Sequence, residues 1–276
     1  MMCAWKQLLS VLPPRLRPEV DRLGKNALQE LRLRLGMPPE LVLSGESRWL
    51  GCCVSREDLN YCINAASRYS PWAAATTAQG YLTAPGGHRI GLCGEVVCKD
   101  GIVTGIREIS SLCIRVARDF PGIAKRAADA PGSILILGAP GWGKTTLLRD
   151  LIRQIGEKQC VSVVDERGEL FPPEGPLPPL ERIGGGDKAR AVQMALRTLA
   201  PQVILLDELG SLEETMALEQ GFFSGADFIA SIHAPDAAQA RCRPQVQALL
   251  QRGMLRQLVI LAGRETPGCI QEVCAV

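Results

Sequence analysis

Aromatic residues make up only 4% of this 276-residue chain, the formal net charge is a mere +2, and histidine occurs twice. Each scarcity excludes something. Sparse aromatics leave little on which the bases of a single strand can stack, and so small a net charge creates no global field for nucleic acid. No apolar run approaches the roughly 20 residues that cross a bilayer as a helix. The opening MMCAWKQLLSVLPPRLRPEV is a short apolar stretch broken by Pro13 and Pro14. It reads as a short helix and not as a secretory signal, which leads us to expect a cytoplasmic protein. The eleven cysteines include no C-x-x-C pair, and adjacent Cys52-Cys53 suits a single tetrahedral metal site poorly. They are most simply reduced, small hydrophobes.

Hydrophobic residues, at 46%, suffice for one large or two modest cores. Arg15, Arg17, Arg22, Lys25, Arg32 and Arg34 crowd the first stretch with few acids between them. That local excess can face acidic lipid, a partner or only solvent. Two regimes meet near residue 125, giving an expected smaller α+β domain at 1–125 and a second domain at 126–276. In the first, Glu30 to Leu35 alternates with period two, Gly36-Met37-Pro38-Pro39 breaks it, and Glu40 to Leu43 resumes. Ser55 to Arg68 carries Leu59, Cys62, Ile63 and Ala66 at helical spacing, with Ser55 and Asp58 placed to cap its start. Strands return from Gly80 to Val116, interrupted by the turn formers Pro85-Gly86-Gly87 and Lys99-Asp100-Gly101.

The second domain alternates strand and helix. Strands at 133–137, 160–164, 203–207 and 228–232, with helices at 144–155, 187–199, 212–221 and near 237–252, imply right-handed crossovers and a mostly parallel sheet flanked by helices. Leu258–Leu261 and Ile270–Val273 add a hairpin around Pro267-Gly268. Pro172 to Pro179 reads as an exposed loop.

The most informative segment is SILILGAPGWGKTTL, an apolar strand running into Gly138-Ala139-Pro140-Gly141-Trp142-Gly143-Lys144-Thr145-Thr146. A glycine-rich turn joining a core strand to a core helix is the plainer reading. The G-x-x-x-x-G-K-T spacing in that setting favours a phosphate-binding P-loop, hence a RecA-like P-loop NTPase core with ATP and Mg²⁺ as cofactors. Glycines let backbone N–H groups turn onto phosphate oxygens, and the following helix points its positive end at the same anion. Lys144 then reaches the β and γ phosphates and the Thr145 hydroxyl supplies one Mg²⁺ ligand.

Val203 to Leu206 delivers Asp207 and Glu208 to a sheet edge, Asp207 as the second Mg²⁺ group and Glu208 to polarise the attacking water. Val161 to Val164 delivers Asp165, Glu166 and Arg167, so Glu166 competes for the role of base. Phe228 to Ile232 ends in His233, a polar tip able to sense the γ-phosphate or simply a satisfied edge residue.

With these residues the chain resembles the stage III sporulation protein AA family, itself similar to the ATPases of type II and IV secretion and pilus assembly. The likeness rests on GYLTAPGGHRIGLCGEVVCKDGIVTGIREISSLCIRVAR, then GAPGWGKTTLLRD, VVDERGEL, MALRTLAPQVILLDELG and IASIHA in that order. It implies an ATPase on the mother-cell side of the channel between mother cell and forespore, peripheral at the membrane beside channel proteins, acting as a hexameric ring. Lys144, Thr145 and Asp207 carry over as nucleotide and Mg²⁺ ligands, Glu208 or Glu166 as base, and His233 as the histidine-box position. Arg107 and Arg115 match arginines that reach a nucleotide from an adjacent domain or subunit. Two places depart from the pattern: the short Ile183-Gly184-Gly185-Gly186-Asp187 segment, and Asp207-Glu208 where secretion motors usually carry Gly-Glu. A nucleic-acid-dependent ATPase on the same core is the competing reading, for which the basic start would be the footprint.

Overall fold

The computed structural model describes residues 3–43, 45–67, 80–129, 132–166, 168–171, 180–184 and 187–276. Arg167 and the proline-rich stretch 172–179 therefore lie outside the described residues. The chain divides into two compact units at Arg118–Asp119, earlier than the composition shift near residue 125. The intervening residues join the second unit through its P-loop helix: Ala124 N–H donates to Asp150 at 2.8 Å, and Asp119 pairs with Arg153.

The first unit is a six-stranded antiparallel sheet in the order β3-β2-β1-β6-β5-β4. Its strands are β1 (Leu28–Arg34), β2 (Glu40–Leu43), β3 (Ser47–Trp49), β4 (Tyr81–Ala84), β5 (His88–Lys99) and β6 (Ile102–Arg115). Helices Trp5–Val11, Arg17–Leu23 and Arg56–Ser67 accompany it. The chain start is thus two helices, split at the Pro13-Pro14 break, where the sequence suggested one. Leu31 and Leu33 of β1, Ile90 and Leu92 of β5, and Leu112 and Ile114 of β6 alternate into one buried cluster with Leu8 and Leu59 from the helices and Leu12 just after the first of them. Asp100 and Gly101 both adopt positive φ, 53° and 78°, giving the tight turn that joins β5 to β6.

The second unit holds a seven-stranded sheet ordered β13-β12-β7-β11-β10-β8-β9. Its members are β7 (Ile134–Leu137), β8 (Val161–Val164), β9 (Glu181–Ile183), β10 (Val203–Leu206), β11 (Asp227–Ile232), β12 (Gln257–Leu261) and β13 (Ile270–Ala275). Every pairing is parallel except β12 with β13. Both faces are covered, which is why these strands are continuous apolar runs. Leu135, Leu137, Ile204 and Leu206 pack on helices Lys188–Thr198 and Leu212–Phe223, whereas Ile134, Ile136, Val203 and Leu205 pack on helix Lys144–Ile155.

The long helix expected near 237–252 is two, Ala237–Arg241 and Pro244–Gln251. Pro244 lacks the N–H an uninterrupted helix needs, and it opens the second helix. Strands β3 and β9, three residues each, are too short for a periodicity to register. No helix among the described residues is long and apolar enough to cross a membrane.

Candidate nucleotide site

Strand order decides which side chains meet. Strand β11 lies between β7 and β10, with Ile232 beside Leu137 and Ala230 beside Leu206. All three run parallel, so their carboxyl ends share one edge, where ligands of such sheets collect. Lys144 follows β7, Asp207 and Glu208 follow β10, and His233 follows β11 between them.

The Lys144 ammonium donates to the carbonyls of Gly138 at 2.9 Å and Ala139 at 3.2 Å, and lies 2.8 Å from His233 Nδ1. An ammonium has donors only, so Nδ1 accepts and the imidazole proton is assigned to Nε2. Nε2 is 3.2 Å from Glu208 Oε1. One hydrogen-bonded chain therefore runs from the glycine loop to Glu208. Burial lowers the Lys144 pKa, against the opposing pull of Glu208 and Asp207.

Thr145 Oγ1 donates to Asp207 Oδ1 at 3.3 Å, and the Ser231 hydroxyl donates to the Asp207 carbonyl. Desolvation, then the neighbouring Glu169 and Asp165 carboxylates, push Asp207 up to about 6, with the Thr145 bond opposing them. This crowding of carboxylates suits a cation partner.

The loop is held from outside as well as within. Gly143 has φ 87°, and a Cβ there would lie 2.2 Å from the Gly268 backbone nitrogen. Gly268 N–H in turn donates to the Trp142 carbonyl at 2.8 Å. The turn between β12 and β13 is thus built against the loop. Inside it, Trp142 N–H reaches back over Pro140 to the Ala139 carbonyl at 3.2 Å. Gly141 has φ 82°, and a Cβ there would meet only Arg264 Nε, at an ordinary 3.9 Å. Thr146 continues the helix, whose first turn carries no acid to compete for an anion.

Glu166, Asp207 and Glu208 line one small cleft together with Lys188. Both candidate bases thus face the same space. Glu208 is held by His233, whereas the exposed Glu166 carboxylate has no partner among the described residues. Asp165 is spent on local structure: buried, it accepts from the N–H groups of Glu169 at 2.9 Å and Leu170 at 3.2 Å.

Arg107 and Arg115 belong to the first unit. Arg107 is exposed on β6, 3.1 Å from Glu95. Arg115, at the end of β6, lines a cleft of about 240 Å³ with Arg89, Tyr81 and Cys113. Sequence reasoning missed Lys188, because a lysine opening a helix reads as ordinary surface charge. It also missed Gly268, whose contact with the loop is non-local.

A strand, a glycine loop and Lys-Thr at the carboxyl edge of a mostly parallel sheet, with Asp207 two strands away, define a P-loop NTPase fold. The sequence profile of the family described as sporulation stage III, protein AA, matches residues 5–275, and the chain belongs to that family. It is 30% identical over 288 residues to Stage III sporulation protein AA of Bacillus subtilis (strain 168), covering 97% of this chain and 94% of that one. An uncharacterized protein, ycf45, of Porphyra purpurea is 27% identical over 83% of this chain but only 40% of its own length. Among solved structures, the Legionella pneumophila ATPase DotB superposes with a TM-score of 0.62 at 20% identity, over 88% of this chain and 74% of its own. The pilus retraction motor PilT, solved with ADP, gives 0.64 at 16% identity over 89% and 76%. At such identities these two establish the fold.

Proposed function

We propose that the chain is a Mg²⁺-dependent ATPase of the secretion-motor type, working in sporulation at the channel between mother cell and forespore. The observation that carries this reading is the chain of contacts from Lys144 through His233 to Glu208, beside the Thr145–Asp207 pair. The residues fit a nucleoside triphosphate with Mg²⁺. A lysine reaches into the glycine loop, the following helix carries no acid in its first turn to repel an anion, and the Thr145 and Asp207 oxygens lie 3.3 Å apart. Mg²⁺ bound there would neutralise developing phosphate charge. Lys144 would exchange its loop carbonyls for phosphate oxygens, a charge-assisted and stronger set of partners. Glu208, steadied by His233, would orient the attacking water, with Glu166 as the alternative base in the same cleft.

A hexameric ring is part of the proposal, with Arg107 and Arg115 supplying positive charge to a nucleotide on a neighbouring subunit. Both arginines lie outside the unit that holds the loop. The test is Mg²⁺-dependent ATP hydrolysis per subunit as protein concentration rises, repeated with DNA and with RNA. Specific activity that climbs with concentration supports sites completed between subunits. Activity that depends on nucleic acid would replace the motor reading with the competing one.

A further inference from the structure

We propose that Lys188 is a positioning residue that holds the backbone of Glu208 so that its carboxylate faces the cleft. The inference rests on the ATPase reading above and adds a residue to it. Lys188 Nζ donates to the Glu208 carbonyl at 2.7 Å and lies 3.1 Å from Glu214 Oε1, with only 16% of its side chain exposed. Glu214 is itself fixed: Oε2 accepts from Gly210 N–H at 2.7 Å, and its own N–H donates to Ser211 Oγ in a reciprocal cap. Glu208 is therefore held at two ends. His233 holds the carboxylate and Lys188 holds the carbonyl.

The placement of this cation is unfavourable on local grounds. Lys188 is the first residue of its helix, where the backbone dipole disfavours positive charge. A solvated lysine there would point away from the helix end. This one bends into a cleft shared with Glu166, Asp207 and Glu208, and gives one donor to the Glu208 carbonyl and another to Glu214 on the helix that follows. Without Lys188 the Glu208 carbonyl loses a charge-assisted bond, and the peptide that aims the base gains freedom. Misplacement of a reacting group by about an ångström costs on the order of 100-fold in rate.

The test compares Lys188→Met, Lys188→Arg and Glu214→Gln with the wild type for turnover, KM for ATP, ADP affinity and melting temperature. Lys188→Met should lose roughly 10- to 100-fold in turnover while KM and ADP affinity stay within about twofold. Lys188→Arg should recover part of that loss, and Glu214→Gln, which keeps the lysine but weakens its anchor, should fall between. Unchanged turnover in Lys188→Met overturns the proposal. So does a parallel loss of ADP affinity, which would make Lys188 a phosphate ligand, or a turnover loss that merely follows the folded fraction. Absence of hydrolysis in the wild type itself would instead sink the ATPase reading, and this inference with it.

Discussion

Lys144 Nζ and His233 Nδ1 stand 2.8 Å apart although 89 residues separate them in the chain. The contact follows from strand order, because β11 lies beside β7 and carries His233 to the edge where the P-loop helix begins. A phosphate drawing Lys144 toward itself would release Nδ1, while Nε2 still touches Glu208. Nucleotide bound in the loop would thereby be sensed at Glu208 through a single imidazole.

His233→Ala should accordingly separate binding from turnover. We expect hydrolysis to fall roughly 10- to 100-fold with ADP affinity nearly unchanged. Steady-state kinetics beside equilibrium ADP binding measures both. Equal losses in the two would make His233 a binding residue and remove the coupling.

The two acids of the cleft make opposite predictions for the isosteric amides. Glu208→Gln should bind ATP and lose on the order of 100-fold or more in turnover, and Glu166→Gln should lose far less. Single-turnover hydrolysis of bound ATP is the appropriate assay. The reverse ranking would assign the base to Glu166.

Gly141 and Gly143 both have positive φ, yet substitution should affect them differently. Gly141→Ala meets only the Arg264 side chain, at an ordinary contact distance of 3.9 Å, and bears mainly the strain of a left-handed residue, about 1–2 kcal/mol. Gly143→Ala also meets the Gly268 backbone nitrogen at 2.2 Å, which has no rotamer to escape into. We expect it to cost about 3 kcal/mol or more and to abolish ADP binding. Urea denaturation of both variants decides this.

In the first unit, Asp58 accepts from Ser55 N–H at 2.7 Å at the start of its helix and pairs with Arg15. The Arg15 bond, aided by the Ser55 N–H and opposed by burial, holds the carboxyl below its ordinary 3.8. A depressed folded pKa stabilises the protein fully above that value, and the contribution is lost as pH falls through the lower folded one. Asp58→Asn should therefore cost about 1 kcal/mol at pH 7, a figure kept small because Arg15 is 44% exposed and screened. The gap from wild type should close below pH 3.8 in denaturation curves. A gap that persists there would assign the effect to packing.

Much of the site was legible because its signals are local. Gly138 to Thr145 and the acids after Leu206 and Val164 occupy the ends of strands whose apolar runs announce burial on both faces. Ser55 and Asp58 mark a helix start, and Asp100-Gly101 a tight turn, by backbone chemistry alone. What the sequence withheld is non-local. No periodicity reveals that β11 separates β7 from β10, so His233 could be placed at an edge but not between Lys144 and Glu208. Nor does any local pattern show Gly268 against Gly143, or Lys188 turned from solvent into the cleft. The proline at 244 was a breaker in plain view, and the apolar spacing around it masked the end of one helix and the start of another.

Phosphate release from ATP, measured with and without Mg²⁺ for the wild type and Lys144→Ala at equal concentration, tests the ATPase reading most directly. Wild-type turnover should require Mg²⁺ and disappear with the lysine. Equal rates in the two proteins, or a wild type that binds ATP with Mg²⁺ and never releases phosphate, would contradict it.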